Sequence, residues 1–271
     1  MVSQKIRAVV TGAAGKMGGR MVALVREAPD FSLVGATERA GHPALGRDAG
    51  EVAGAGAAGV KVTDNLAPLL PGADVAIDFT APEASVAHVR AAAAAGKAIV
   101  VGTTGLGKEH LAEIRTQANR VPCIVSPNMS VGVNVLYRLL AEAARLLGDD
   151  YDVELFEAHH HFKKDAPSGT ALKMAQVLAE ALGRDLERVA IYGRKGMVGE
   201  RPKQEIGIHT IRAGDIVGEH TVVFGGMGER IEMTHRAHSR DNFGRGALRA
   251  ARFAVRAAPG LYDMGDVLGL K

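Results

Sequence analysis

Residues 5–26 read KIRAVVTGAAGKMGGRMVALVR, and this run constrains the fold more than any other. It opens as a short apolar strand and closes on apolar side chains at helical spacing. Between the two stand Gly12, Gly15 and Gly18. Strand, glycine loop and helix, in that order, begin a dinucleotide-binding unit. Gly12 permits the tight turn, Gly15 lets the backbone approach a pyrophosphate, and Gly18 lets helix and strand pack closely. The spacing is GxxGxxG rather than GxGxxG, so an ordinary glycine-rich turn also fits the loop taken alone.

Residues 31–37 read as a second strand ending at Glu38, whose carboxylate suits the hydroxyls of an adenosine ribose. Arg39 follows, and a guanidinium there suits a 2′-phosphate. The pair leaves NADH and NADPH both open. Residues 74–80 are a third apolar strand, and 82–95 an alanine-rich helix with Gly96 as its C-cap. Residues 98–101 form a strand that ends in Gly102, Thr103 and Thr104, and 108–119 form a helix. Residues 121–125 form a strand that ends in Ser126, Pro127, Asn128 and Met129. Short apolar strands alternating with helices predict a parallel sheet covered on both faces, with ligands beyond the carboxyl ends of the strands. Residues 50–59, GEVAGAGAAG, read as a mobile surface loop.

The pattern changes after a helix at 132–147. Residues 152–157 alternate polar and apolar as a half-buried strand, and 171–182 are strong helix formers. Between them lies HHHFKKDAPSG, which crowds His159, His160, His161, Lys163, Lys164 and Asp165 onto one connection. Ser168 is placed to cap the helix, with the Gly169 and Thr170 amides at its N-terminus, where an anion is favoured. The expected ligand is a small acidic molecule with proton donors beside it. Adjacent histidines on a strand do not point at one centre, so a metal site is the weaker reading. Runs at 205–212, 216–224 and 229–237 predict an antiparallel meander, which with 152–157 makes a sheet of about four strands. Residues 241–258 return to a helical pattern.

The expected fold is therefore α/β. A Rossmann-like dinucleotide-binding domain with a mostly parallel sheet takes residues 1–130 and 241–271. A smaller α+β domain with a mixed or antiparallel sheet, residues 131–240, serves substrate binding. A hinge is expected where the chain crosses between them.

Composition narrows the function classes. At 271 residues, with 47% apolar and 23% charged, the chain matches one or two ordinary soluble domains. A net charge of +3 without a long basic run does not suit nucleic acid, and 4% aromatics without tryptophan does not suit base stacking. No apolar run is long enough for a membrane helix, and the first residues lack the apolar core of a signal peptide. A single cysteine fits a reducing compartment, so a cytoplasmic location is expected.

The run 154–171, ELFEAHHHFKKDAPSGTA, is similar to the signature of the dihydrodipicolinate reductases, in which a histidine, a lysine four residues later and a DxPSGTA turn recur together. The glycine loop, Glu38, the GTTG at 102–105, the SPNMSVGVN from Ser126 and the RAGDIVGEH from Arg212 also resemble that family, so the likeness covers nearly the whole chain. The resemblance implies an NAD(P)H-dependent reduction of a cyclic imine dicarboxylate in the diaminopimelate route to lysine. It implies His159 as general acid or base, Lys163 as a second proton donor, and His160, Gly169 and Thr170 as substrate contacts. It implies a cofactor lined by Gly12, Ala13, Ala14, Gly15, Lys16, Met17, Glu38 and Arg39. The turns Gly102, Thr103, Thr104 and Ser126, Pro127, Asn128, Met129 complete that lining. It implies a homotetramer assembled through the second domain. Another two-domain dehydrogenase shares the glycine loop but not the HHHFKKDAPSGTA run, and a dinucleotide sensor without catalysis has no need of the His159 and Lys163 pair.

Overall fold

Strand β1 (Ile6–Thr11) buries Ala8, Val9, Val10 and Thr11, so both of its faces are covered as in a central parallel strand. The structure, a computed structural model, describes residues 4–270. After β1 the chain forms α1 (Lys16–Glu27), β2 (Phe31–Thr37), α2 (Ala49–Val52), β3 (Val62–Thr63), β4 (Val75–Asp78), α3 (Pro82–Ala95), β5 (Ala98–Val101), α4 (Lys108–Ala118) and β6 (Pro122–Val125). It continues through α5 (Val131–Leu147), β7 (Asp152–His159), α6 (Gly169–Ala181), α7 (Leu186–Val189), β8 (Ala190–Ile191), β9 (Ile206–Arg212), β10 (Gly218–Gly225) and β11 (Arg230–Ala237). It closes with α8 (Asp241–Ala254), β12 (Gly260–Tyr262) and α9 (Met264–Leu268). Two compact units result: the chain through Val131 joined by the segment from Asp241, and Gly132–Arg240. No helix among the described residues is long and apolar enough to cross a membrane.

The first unit holds a seven-stranded parallel sheet in the order β12-β6-β5-β4-β1-β2-β3. The chain winds one way from β1 through β2 and β3, then restarts at β4 and winds the other way. This is the Rossmann-like double winding, with its switch point between β1 and β4. Alternate strand residues serve two cores. Ala8, Val10, Ile77 and Val100 pack with α1 and α8, and Val9, Ala76, Ile99 and Val101 pack with α3 and α4. The returning helix α8 is fastened by ion pairs Arg20–Asp241 at 2.8 Å and Arg252–Asp30 at 2.7 Å. It also approaches α1 closely, since a Cβ on Gly244 would lie 2.3 Å from Leu24.

The segment 50–59 is fastened rather than loose, which corrects the expectation of a mobile loop. The Asp48 carboxylate accepts from the amides of Gly50, Glu51, Ala58 and Gly59. The Arg26 guanidinium takes the carbonyls of Ala55, Gly56 and Ala57. One carboxylate and one guanidinium thus replace the side chains that this small-residue stretch lacks.

The second unit holds a five-stranded mixed sheet in the order β11-β10-β7-β9-β8. Two expectations are corrected here. The sheet has a fifth strand, β8, of only two residues. The three late strands are also no meander. β9 runs parallel to β7, while β10 runs antiparallel to β7 on its other side and to β11. The physical reason is burial. β7 carries Val153 and Leu155, which share one core with Ile206, Ile208, Val222 and Phe224 beneath α5 and α6. A strand so buried needs a partner at each edge, and β9 and β10 supply them.

Candidate active site

The carboxyl end of β7 gathers the charged groups of the second unit. Glu157 and His159 are two residues apart on a strand and so share the face turned toward α6. Register brings their neighbours: Glu157 lies opposite His220 on β10 and Thr210 on β9, and His159 lies opposite Arg212. Glu157 is 1% exposed, and five donors reach its carboxylate. They are His159 Nδ1 at 2.6 Å, Arg212 Nη1 and Nη2 at 2.8 and 2.9 Å, the Ser168 amide at 2.9 Å and Thr210 Oγ1 at 3.4 Å. Burial pushes the Glu157 pKa up, but the bonds from His159, Arg212 and Ser168 outweigh it and hold the group well below the usual carboxylate range. Glu157 is therefore an acceptor only, and His159 must turn an Nδ1–H toward it. That fixes the tautomer and leaves Nε2 as the ring nitrogen turned away from Glu157.

His220 lies edge-on to His159 with ring centroids 5.2 Å apart, and its Nε2 is 3.1 Å from Ser168 Oγ. Burial, then the nearby His159, lowers its pKa to about 3, so it is neutral at ordinary pH. Ser168 caps α6, its Oγ accepting from the Ala171 amide at 3.1 Å, and Gly169 and Thr170 are the first two residues of the helix. Tyr137 of α5 bonds the Thr170 side chain, and burial pushes its phenol above the ordinary value. Lys163 donates to both oxygens of Asp165 at 2.9 Å. The loop is sewn to the β9–β10 connection by Ala213 N–H to His159 O and His161 N–H to Gly214 O, each 3.0 Å. Arg212 Nη2 adds a bond to Asp165 O at 2.6 Å. His160 is half-buried at the strand end, with its ring 6.4 Å from that of Phe162.

In the first unit the glycine loop joins β1 to α1. Gly12 has φ +64°, and a Cβ there would lie 2.8 Å from Thr80 Cγ2. A Cβ on Gly18 would lie 1.9 Å from the Gly12 carbonyl oxygen, so the third glycine is set by helix against loop rather than helix against strand. Gly15 is the N-cap of α1 without a side-chain cap, and the first turn holds no acidic residue. An uncapped, unopposed helix start walled by backbone fits a pyrophosphate. Glu38 accepts from the Ala14 amide at 3.1 Å and the Arg39 amide at 3.0 Å, which places its carboxylate against the loop. Lys16 and Arg39 are exposed, and Met17 is half-buried.

The remaining predicted cofactor residues lie at the carboxyl ends of β5 and β6. The Gly102 amide donates to Asp78 O at 2.8 Å, and a Cβ on Gly102 would meet the Phe79 ring at 2.1 Å. Thr103 Oγ1 accepts from the Thr80 amide at 3.0 Å. Ser126 Oγ donates to Asn128 O at 2.8 Å, and Asn128 and Met129 are buried. A Cβ on Gly246 of α8 would lie 1.7 Å from Met129 O, so the returning helix backs this turn. The structure thus gathers Gly12 to Met17, Glu38 and Arg39 at one end of the parallel sheet with both turns. It gathers His159, His160, Lys163, Gly169 and Thr170 around one loop of the second unit. Glu157, Arg212 and His220 carry no role in the sequence pattern alone. The Glu-x-His spacing on a strand was the available signal.

Family models for the N-terminus and the C-terminus of dihydrodipicolinate reductase match residues 6–129 and 132–268. The 4-hydroxy-tetrahydrodipicolinate reductase of Syntrophus aciditrophicus is 57% identical over 266 residues, covering 98% of this chain and 99% of that one. The Anaeromyxobacter dehalogenans enzyme of the same name is 58% identical over 265 residues, with 98% of each chain covered. The dipicolinate-bound dihydrodipicolinate reductase of Paenisporosarcina sp. TG-14 superposes with a TM-score of 0.74 at 27% identity, covering 96% of this chain and 98% of that one. The double-wound parallel sheet, the His159 loop and these likenesses agree, and the chain belongs to the dihydrodipicolinate reductase family, NAD(P)H-dependent oxidoreductases of the diaminopimelate route to lysine.

Proposed function

We propose that His159, oriented by Glu157, is the general acid in the reduction of 4-hydroxy-tetrahydrodipicolinate to tetrahydrodipicolinate. The 2.6 Å contact of His159 Nδ1 with a buried, ionised Glu157 carries this reading. The cofactor, bound as NADH or NADPH, supplies the hydride. Loss of the 4-hydroxyl as water gives the conjugated imine; hydride addition to it leaves negative charge on the ring, and Nε2 of the His159 imidazolium delivers the proton that quenches it. Glu157 keeps that ring fixed through its bond from Nδ1. Lys163, steadied by Asp165, is the second proton donor, and His160 touches the substrate. The Gly169 and Thr170 amides hold one carboxylate at the positive end of α6. Dipicolinate, the ligand of the Paenisporosarcina reductase, is likewise a dicarboxylate.

The first unit is the cofactor domain. Residues 12–17 hold the pyrophosphate, Glu38 the ribose hydroxyls of NADH and Arg39 the 2′-phosphate of NADPH. Gly102, Thr103, Thr104 and Ser126 to Met129 face the nicotinamide end. The second unit binds substrate and assembles a homotetramer. Its sheet turns one face from the helices, and there Phe156 and Ile211 are 41% and 49% exposed beside a shallow groove lined also by Thr221, Val223 and Glu232. Such a face is best covered by copies of itself. The lone Cys123, free and buried, suits work in a reducing cytoplasm.

A coupled assay tests the reading. Dihydrodipicolinate synthase generates the unstable substrate in place while nicotinamide absorbance is followed with and without EDTA. Chelator-resistant oxidation of NADH or NADPH is expected. Activity abolished by EDTA, or undiminished in His159→Gln, contradicts the assignment.

A further inference from the structure

Gly218 opens β10 and is buried. Its φ is not positive, so its backbone conformation suits any residue. A glycine inside a strand costs stability, because it loses more chain freedom on folding and packs no side chain. The glycine at 218 therefore answers to something in space and not to a turn.

That something is the His159 ring. The antiparallel register that sets Glu219 against Ala158 carries Gly218 to His159 at the next step. Alternate residues of a strand share a face, so Gly218 lies on the face of His220, Val222 and Phe224, and His159 on the face of Glu157. A Cβ on Gly218 would lie 3.1 Å from His159 Nε2, 3.4 Å from its Cδ2 and 3.9 Å from its Cε1. These are its nearest neighbours, and all belong to one imidazole. The Nε2 edge of the ring thus rests where a side chain is missing.

The ring has little freedom to give way. Its Nδ1 is bound to Glu157 at 2.6 Å, and that carboxylate is held in turn by Arg212 and the Ser168 amide. His220 stands edge-on to it at 5.2 Å between centroids. The His159 side chain is only 12% exposed, so the approach to it is narrow. A methyl at 3.1 Å lies inside the roughly 3.5 Å at which unbonded atoms rest. It would press on the ring and cover Nε2 together. Gly225, at the far end of the same strand and also without a positive φ, is different: a Cβ there would meet nothing within 4 Å.

We propose that Gly218 is a positioning residue for His159, whose missing side chain seats the imidazole and keeps its Nε2 open to the substrate. This rests on the reading of His159 as the general acid. The glycine acts through the histidine and touches neither cofactor nor substrate.

The test is a double-mutant cycle on the full chain, with kcat from the coupled assay and the NADH dissociation constant from nicotinamide fluorescence. Gly218→Ala is expected to lower kcat about tenfold and to leave NADH affinity within about twofold. Gly225→Ala, the same change on the same strand, should leave kcat within about twofold. In a His159→Ala background the ring is gone, and adding Gly218→Ala should cost less than about twofold more. Full turnover in Gly218→Ala, an equal loss in Gly225→Ala, or a tenfold loss repeated in the His159→Ala background overturns the proposal. Should Gly218→Ala not fold, Gly218→Ala/His159→Ala should recover the fold, because the ring that the methyl strikes is absent; failure of both to fold overturns the proposal as well. Undiminished turnover in His159→Ala would instead overturn the general-acid reading, whatever Gly218→Ala does.

Discussion

The β1–α1 and β7–α6 connections share one plan, a strand feeding a loop that ends at a helix start, and fill it with opposite chemistry. In the first, Gly12, Gly15 and Gly18 strip side chains away, and no side chain caps α1. In the second, three histidines, two lysines and an aspartate crowd the loop, Ser168 caps α6, and a buried glutamate lies beneath. The difference separates two tasks. Binding a pyrophosphate asks for backbone N–H groups and room, which a Cβ destroys. Moving a proton asks for side chains whose charge and tautomer are held by a network, which a change of one charge destroys. Damage to the first loop should therefore appear in cofactor affinity and stability, and damage to the second in turnover.

Gly18→Ala attacks the contrast hardest. Its Cβ falls 1.9 Å from a backbone oxygen, which no rotamer change relieves. A loss of NADH affinity of about 100-fold or more, with Tm lowered by about 5 °C, is expected from calorimetry and thermal denaturation. Normal affinity in this variant would break the claim that backbone closeness builds the site. Glu157→Gln is the matching change in the second unit. It keeps the shape but removes the charge that sets His159, so kcat should fall roughly 30-fold in the coupled assay while NADH affinity is kept. Glu38→Ala sharpens the first half of the comparison. NADH should weaken about tenfold and NADPH less, since Arg39 remains for the 2′-phosphate. Equal losses would remove Glu38 from the ribose.

The smallest effect concerns pH. His220 is held neutral, with its pKa lowered from 6.5 to about 3 by burial and by His159. In the unfolded chain it binds a proton below about 6.5, so between these values the unfolded state carries the extra proton. The stability due to neutral His220 is therefore complete above about 6.5 and is lost progressively as pH falls toward 3. His220→Gln should flatten the fall of Tm between about pH 7 and pH 5, by a few degrees at most. An unchanged slope would show that the imidazole is not buried as described.

Local patterns made the parallel sheet readable. β2, α3 and β5 have the predicted bounds, and Gly96 caps α3 at φ +65°. Period and punctuation are sequence-local, and in a double-wound sheet each strand follows its helix in chain order. The second sheet was less legible because its order depends on which strand is most buried. β7 intervenes between β9 and β10, and no local pattern encodes that. Strands of two or three residues, such as β3, β8 and β12, form only because an edge awaits them. The site shows the same limit. His159, Lys163 and Ser168 stand in one motif and were found there, whereas Arg212 and His220 reach Glu157 and Ser168 through sheet register.

The division of labour between the two loops is tested most directly by His159→Gln, with kcat from the coupled assay and the NADH dissociation constant from nicotinamide fluorescence measured on the same preparation. A fall in kcat of about 10²-fold or more, with the dissociation constant changed less than about twofold, is the predicted result. Turnover kept near the unaltered level, or affinity and turnover lost together, would contradict the assignment of proton transfer to the β7–α6 loop.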